Sequence, residues 1–252
     1  MDILNGITLL YGDCLQLMKD IPDGKVDMIF CDLPFGRTAC EWDCVIPFDP
    51  LWEQYKRVIK QNGAILLFSL QPFTSELIIS NLKMFRYEWI WQKTQPKGHL
   101  NANKMPMRAH ENICVFYKKL PIYNPQKNGG YKRRTAHNKY IREAKGDSCY
   151  GKEVRDTFYD STERYPIDIQ IFSNANQKNK FHSTQKPIEL LEYFIKTYTN
   201  EGDTVLDNCI GSGSTGVACI NTKRKFIGME INKEYFDIAC MRIAEVQEQL
   251  YK

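Results

Sequence analysis

Asp207-Asn208-Cys209-Ile210-Gly211-Ser212-Gly213-Ser214-Thr215-Gly216 decides the fold. Glycines at 211, 213 and 216 satisfy Gly-x-Gly-x-x-Gly, the apolar run 204–207 before them reads as a strand, and the stretch to about Asn221 reads as a helix. Glu230 closes the next strand, 226–230, and stands 19 residues after Gly211. Glycines allow a tight turn with close backbone approach, and a carboxylate at that place accepts hydrogen bonds from ribose hydroxyls. A glycine turn serving only helix packing is the plain alternative. It leaves unexplained why Asp207 and Glu230 each terminate a strand at one sheet edge, where such folds bind ligands. A loop of this kind ordinarily opens a nucleotide-binding domain, yet only 36 residues follow Gly216. The remaining strands must therefore come from the N-terminal half, in a sheet whose chain order is rotated.

That half supplies them. Residues 7–11 read as a short strand, and Val26-Asp27-Met28-Ile29-Phe30-Cys31 is too apolar for a one-sided sheet, so it is central. It runs directly into Asp32-Leu33-Pro34-Phe35. Residues 47–60 have helical spacing, ended by Asn62-Gly63, and 64–69 form a buried strand. A helix over 75–82 leads to strands at 87–91 and 112–117, and further helices are expected at 188–199 and from Glu234. Strands alternating with helices argue a mostly parallel α/β sheet. Between them, 118–180 shows no sustained periodicity, and roughly sixty structureless residues are unusual in a compact core, so this segment is an insertion or a second small domain.

At 252 residues, 43% hydrophobic and 25% charged, the chain fits one globular domain with a generous core, or one domain carrying an insertion. Its longest apolar runs are far short of a membrane span, which makes a cytosolic protein the simplest reading. The nine cysteines fall partly in apolar segments, where they act as small hydrophobes; no Cys-x-x-Cys exists, and neither a disulfide framework nor a metal site is expected. Charge is uneven. Between Tyr117 and Arg155, eleven Lys or Arg stand against three acids, leaving the rest of a +4 chain net acidic. That suggests a polyanion-facing surface, with a solvated loop as the plain alternative.

The neighbours of the glycine loop narrow the cofactor. No Gly-Lys-Ser/Thr follows, so a triphosphate loop is excluded. An Asp directly before the loop disfavours a pyrophosphate and suits a cation. S-adenosylmethionine, with a ribose, an ammonium and a sulfonium, fits acids at both positions. At the other motif, Pro34 restricts its own φ and biases Leu33 toward an extended backbone. The loop can aim the Asp32 carboxylate, the Leu33 carbonyl and the Phe35 ring at one planar group bearing an exocyclic amine; a proline turn with Phe35 in the core is the alternative.

Asp32-Leu33-Pro34-Phe35 resembles the Asp-Pro-Pro-Tyr/Phe motif of amino-group DNA methyltransferases, and Asp207 to Thr215 resembles their Asp-Pro-Phe-x-Gly-Ser-Gly-Thr-Thr loop. His182-Ser183-Thr184-Gln185-Lys186-Pro187 and Gly12-Asp13-Cys14 resemble two further family motifs. Reaction motif first and cofactor motif last is the family's β-type order. The resemblance implies a Rossmann-like methyltransferase fold with a circularly permuted, mostly parallel seven-stranded sheet: a catalytic domain of 1–117 and 181–252, and a target-recognition insertion at 118–180.

It also implies roles. Asp32 and Phe35 would hold a flipped base, assisted by the carbonyls of Leu33 and Pro34. Asp13, with Cys14 beside it, would accept from the cofactor's adenine amine, and Glu230 would bind its ribose. Asp207, Gly211, Ser212, Gly213 and Thr215 would line the methionine side, with Lys186 closing the pocket and Asp32 bordering it. Lys132, Arg133 and Arg134 lead the DNA contacts, extended by Lys139 and Arg142. The implied reaction is methyl transfer to adenine N6 in duplex DNA. Cytosine N4 is the runner-up, disfavoured because those relatives commonly carry Ser-Pro-Pro-Tyr where Asp32 stands. Double-stranded DNA is the implied partner, with a cognate restriction endonuclease and a homodimer also carried by the resemblance, in a bacterial or phage-encoded cytoplasmic setting. Departures are Leu33 for the first proline, Asn208-Cys209 for Pro-Phe, and Ser214 for Thr. An NAD-dependent oxidoreductase rests on the glycine pattern alone, and a non-catalytic DNA-binding module leaves Asp32, Asp207 and Glu230 unexplained.

Overall fold

The computed structural model describes residues 2–3, 6–36, 43–142, 153–174 and 185–250. Its strands are β1 (Asp2–Ile3), β2 (Ile7–Tyr11), β3 (Val26–Cys31), β4 (Ile59–Ser69), β5 (Phe85–Lys97), β6 (Arg108–Phe116), β7 (Arg134–Arg142), β8 (Glu153–Ser161), β9 (Ile169–Phe172), β10 (Thr204–Asp207) and β11 (Lys225–Glu230). The helices are α1 (Cys14–Leu17), α2 (Phe48–Val58), α3 (Phe73–Ser80), α4 (Ile188–Tyr198), α5 (Ser214–Asn221) and α6 (Lys233–Leu250). Two compact units divide the chain: Met1–Asn124 with Asp168–Lys252, and Pro125–Ile167.

The first unit holds a sheet ordered β1-β2-β11-β10-β3-β4-β6-β5-β9. From β2 to β4 every pairing is parallel, and β6 runs antiparallel to both β4 and β5. The seven strands expected from the sequence are its centre, with β1 and β9 added at the edges. The middles of the central strands are apolar because helices cover both faces. Met28 and Phe30 of β3, with Leu66 and Phe68 of β4, face Phe194, Val217 and Ile243 of α4, α5 and α6. Ile29, Ile65 and Leu67 face Leu51, Trp52, Tyr55 and Val58 of α2 and Phe73 and Leu77 of α3.

The turn into β4 differs from expectation. The helix ends at Val58 and β4 begins at Ile59, so Asn62-Gly63 lies inside a strand. A register shift pairs Val26 with Ile59 and Met28 with Ala64. Gly63 serves a close approach there: a Cβ would lie 2.7 Å from the Asp27 carbonyl oxygen.

The second unit contains an antiparallel ribbon, β7 with β8, in register from Arg134 opposite Ser161 to Arg142 opposite Glu153. Its strands are built from Arg, Lys, Thr, Asp and Tyr with few apolar residues, so no hydrophobic alternation announced them. The compact boundaries also fall inside 118–180, since β9 belongs to the main sheet beside β5. Among the described residues, no helix is long and apolar enough to cross a membrane.

Candidate active site

The chain leaves β10 through α5 toward β11 on one side, and leaves β3 through α2 toward β4 on the other. The carboxyl ends of β10 and β3 therefore flank a topological switch point, where open α/β sheets bind ligands. Along that edge the parallel strands deliver, in spatial order, Gly12-Asp13 after β2, Glu230 at the end of β11, Asp207 at the end of β10 and Asp32 after β3.

The first two are locked together, as the Gly12 N–H donates to the Glu230 carbonyl at 2.9 Å. Asp13 caps α1, its Oδ1 accepting the Gln16 N–H at 3.0 Å, and Cys14 is buried behind it. The Glu230 carboxylate accepts N–H groups from Gly211 and Asn232, both at 2.8 Å. Burial nevertheless pushes its pKa above the ordinary glutamate value.

Asp207, 3% exposed, organises the glycine loop: Oδ1 accepts the Cys209 N–H at 3.0 Å and Oδ2 the Thr215 hydroxyl at 2.6 Å. Burial outweighs these donors and lifts its pKa to about 6. Arg242 of α6, which the sequence did not single out, reaches under the loop and donates to the Ser212 carbonyl and, at 3.0 Å, to its hydroxyl. Where the family has Pro-Phe, Asn208 is held by the Tyr55 hydroxyl at 2.5 Å, and its amide reaches the Cys14 and Cys209 sulfurs.

Helix packing accounts for part of the glycine pattern. Gly213 has φ +81°, and a Cβ there would stand 2.9 Å from Ala239 Cβ and 3.0 Å from Ala239 Cα on α6. Gly213→Ala should lower unfolding free energy by about 2–4 kcal/mol, combining left-handed strain with overpacking. Gly129→Ala, where a Cβ meets nothing within 4 Å, should change it by less than about 0.5 kcal/mol in the same denaturant titration.

At the reaction motif, the Asp43 Oδ1 accepts the backbone N–H groups of Phe35 and Gly36, each at 2.9 Å, and shapes the turn. Leu33 is buried; Pro34 is half-buried, and half-buried Phe35 packs on Phe73 with ring centroids 5.0 Å apart. Lys186 ion-pairs with Asp32 Oδ2 and stands 3.5 Å from Glu111 on β6 and 4.9 Å from the centre of the Phe68 ring. Lys93 of β5 pairs with Glu111 at 2.5 Å. Burial opposes the charge on Lys186, but Asp32 and Glu111 outweigh it and raise its pKa. Burial raises the Asp32 pKa against the pull of Lys186. Asp32 Oδ1 is a buried acceptor that no donor among the described residues satisfies.

Asp13, Cys14, Asp32–Phe35, Lys186, Asp207–Thr215 and Glu230 thus all stand at the carboxyl edge of one sheet. His182, Ser183 and Thr184 lie outside the described residues. In the second unit, Lys132, Arg133 and Arg134 line a cavity of about 570 Å³ together with Tyr131 and Arg164. Arg133 is committed to Asp160, a two-point pair. Lys139 and Arg142 stand on β7 in register with Asp156 and Glu153, and their side chains lie outside the described part. Glu111, Asp43 and Arg242 escaped the sequence reading. Only Glu111 left a signal, an acid directly entering the apolar strand 112–117.

A permuted doubly wound sheet with acids at its switch point and a glycine loop late in the chain defines a Rossmann-like methyltransferase. The family model described as DNA methylase, and named for N6 and N4 methyltransferases, matches residues 26–241. Type II methyltransferase M.HpaI of Haemophilus parainfluenzae is 28% identical, over 93% of this chain and 73% of its own. M.HinfI of Haemophilus influenzae, also a type II methyltransferase, is 29% identical over 98% and 70%. The crystal structure of an M1.HpyAVI–SAM complex shares the fold with a TM-score of 0.64 at 24% identity, covering 94% of this chain and 99% of that one. The cytosine-N4-specific PvuII DNA methyltransferase does so with 0.66 at 16%, covering 97% and 92%. The chain belongs to the N6/N4 DNA methylase family, and the oxidoreductase reading is set aside.

Proposed function

We propose that this DNA methylase transfers a methyl group from S-adenosylmethionine to the exocyclic N6 of an adenine flipped out of duplex DNA. The observation that carries the proposal is Asp32 Oδ1, a buried acceptor without a donor among the described residues, on the carboxylate that Lys186 orients at the switch point. An amine N–H is the donor it lacks.

The donor set fits the cofactor. Glu230 stands where ribose hydroxyls are bound in such folds. Asp207 keeps lone pairs for an ammonium beyond the two donors it already accepts. Asp13 offers a carboxylate to an adenine amine, while Gly211, Ser212, Gly213 and Thr215 give the loop its backbone path. Bound there, S-adenosylmethionine supplies an electrophilic methyl group on a sulfonium.

The protein's own contribution is placement. Asp32 accepts one N–H of the target amine and the Leu33 carbonyl another, which turns the nitrogen lone pair out of conjugation with the ring. Phe35, backed by Phe73, offers an aromatic face to the flipped base, offsetting part of the few kcal/mol that unstacking costs. No strong base is needed, because the nitrogen becomes acidic only once it is alkylated. Lys186 favours the charged form of Asp32, and Glu111, itself paired with Lys93, keeps Lys186 in place. An aspartate at position 32 favours adenine over cytosine.

Pro125–Ile167 is our candidate for target recognition, with Lys132 and Arg134 seated on phosphates. The relatives' type II names support a restriction–modification setting, and we carry with it a cognate endonuclease, a homodimer and a cytoplasmic location.

Cofactor binding should follow Asp207. Its carboxyl is about one-tenth ionised at pH 5, one unit below a pKa of about 6, so affinity for S-adenosylmethionine should be about tenfold weaker at pH 5 than above pH 7. Asp207→Asn should flatten that profile in calorimetric titrations. Equilibrium binding of NAD beside S-adenosylmethionine tests the cofactor assignment itself, and tighter binding of NAD would sink it.

A further inference from the structure

The carboxyl edge carries a second feature that methyl transfer does not use. Every residue over 94–108, where β5 passes into β6, is exposed. The segment is nonetheless built. Gly98, at φ +97°, starts a 3-10 turn over His99–Asn101. The Asn101 N–H donates to the Gly98 carbonyl at 3.0 Å, and Lys104 and Met105 donate to the Asn101 carbonyl at 2.9 and 3.0 Å. Lys97 is in register with Arg108, and the Asn174 amide holds both the N–H and the carbonyl of Gln95.

At its tip Leu100 is 87% exposed, above every other large hydrophobic side chain described, and Met105 on the same segment is 59% exposed. The rim is cationic. No Asp or Glu occurs between Glu88 and Glu111, whereas Lys93, Lys97, Lys104 and Arg108 do. The root adjoins the reaction centre: Lys93 on β5 pairs with Glu111 on β6, Glu111 faces Lys186 at 3.5 Å, and Lys186 holds Asp32.

We propose that residues 98–107 form a wedge for duplex DNA, in which Leu100 enters the base stack beside the target and Lys97, Lys104 and Arg108 seat on the flanking phosphates. Apolar side chains inserted between base steps unstack them, and a filled gap keeps an extruded base from returning. A second copy of the chain is a poor occupant of this face, since a symmetric contact would bring the same acid-free cationic rim against itself. The inference rests on the proposed base flipping.

Methyl transfer to native and to heat-denatured genomic DNA, with labelled S-adenosylmethionine, separates the two ideas. Leu100→Ala should lower the rate on native duplex about 10- to 100-fold, leave denatured DNA within about twofold, and be rescued by Leu100→Met, because single strands present no pair to open. Should wild-type protein work poorly on denatured DNA, a duplex with the target base mispaired serves as the same control. Replacing Lys97, Lys104 and Arg108 together by Ala should reduce the slope of log affinity against log salt by about 2–3, a binding readout independent of turnover. Equal loss on both substrates, an unaltered duplex rate, an unaltered salt slope, or a change of oligomeric state in Leu100→Ala overturns the wedge. No transfer by wild-type protein to any DNA instead overturns the base-methylation reading, while the salt slope still reports on the surface.

Discussion

Asp32→Asn is expected to lower the rate of methyl transfer by about 10³-fold, the scale of losing a single preorganised electrostatic contact at a reacting atom. Asparagine keeps the shape of the side chain but carries no negative charge, so it no longer attracts the target amine as charge develops on nitrogen. Stability should hardly follow. Burial raises the Asp32 pKa despite Lys186, so the ionised carboxylate is less favourable in the folded chain than in water. Removing that charge costs the fold little, and Glu111 still faces Lys186 at 3.5 Å. A denaturant midpoint near wild type beside a collapsed rate is the signature of a residue that serves chemistry. Normal turnover would remove Asp32 from the mechanism.

Glu230→Ala should act on affinity instead. The carboxylate is tied to the loop through Gly211 and to the start of α6 through Asn232, and in our account it also meets the ribose. Truncation removes a charged acceptor and leaves two backbone donors to find water. S-adenosylmethionine should bind about 100-fold more weakly, close to 2.7 kcal/mol, as read by calorimetry. At saturating cofactor, kcat should stay within a few-fold, because ribose contacts are the same before and during transfer. An unchanged dissociation constant would show that Glu230 only braces the loop.

Much of this arrangement is legible in the chain because its strands are buried on both faces. Largely apolar runs such as 28–31 and 205–206 mark the sheet centre, and each leads directly into an acid, Asp32 or Asp207, that the topology then collects on one edge. What stayed hidden depends on partners distant in sequence. Glu111 gains meaning only when β6 pairs with β4 and brings it to Lys186. Arg242 reads as one more cation on a terminal helix until α6 packs beneath the glycine loop. The β4 start was misplaced because Asn62-Gly63 is ordinary helix-stop chemistry, and nothing local reveals the register shift that needs the glycine. The β7 and β8 sequences carry no sustained alternation of apolar residues, so periodicity had nothing to report. Two roles also overlap within one motif: Gly213 answers to Ala239 as much as to any cofactor.

The most direct measurement is nucleoside analysis of duplex DNA incubated with the protein and methyl-labelled S-adenosylmethionine, digested completely and separated by mass. The label should appear as N6-methyl-2′-deoxyadenosine with wild-type protein and disappear with Asp32→Asn. Label found only in N4-methyl-2′-deoxycytidine, or retained at wild-type level in Asp32→Asn, would contradict adenine methylation through Asp32.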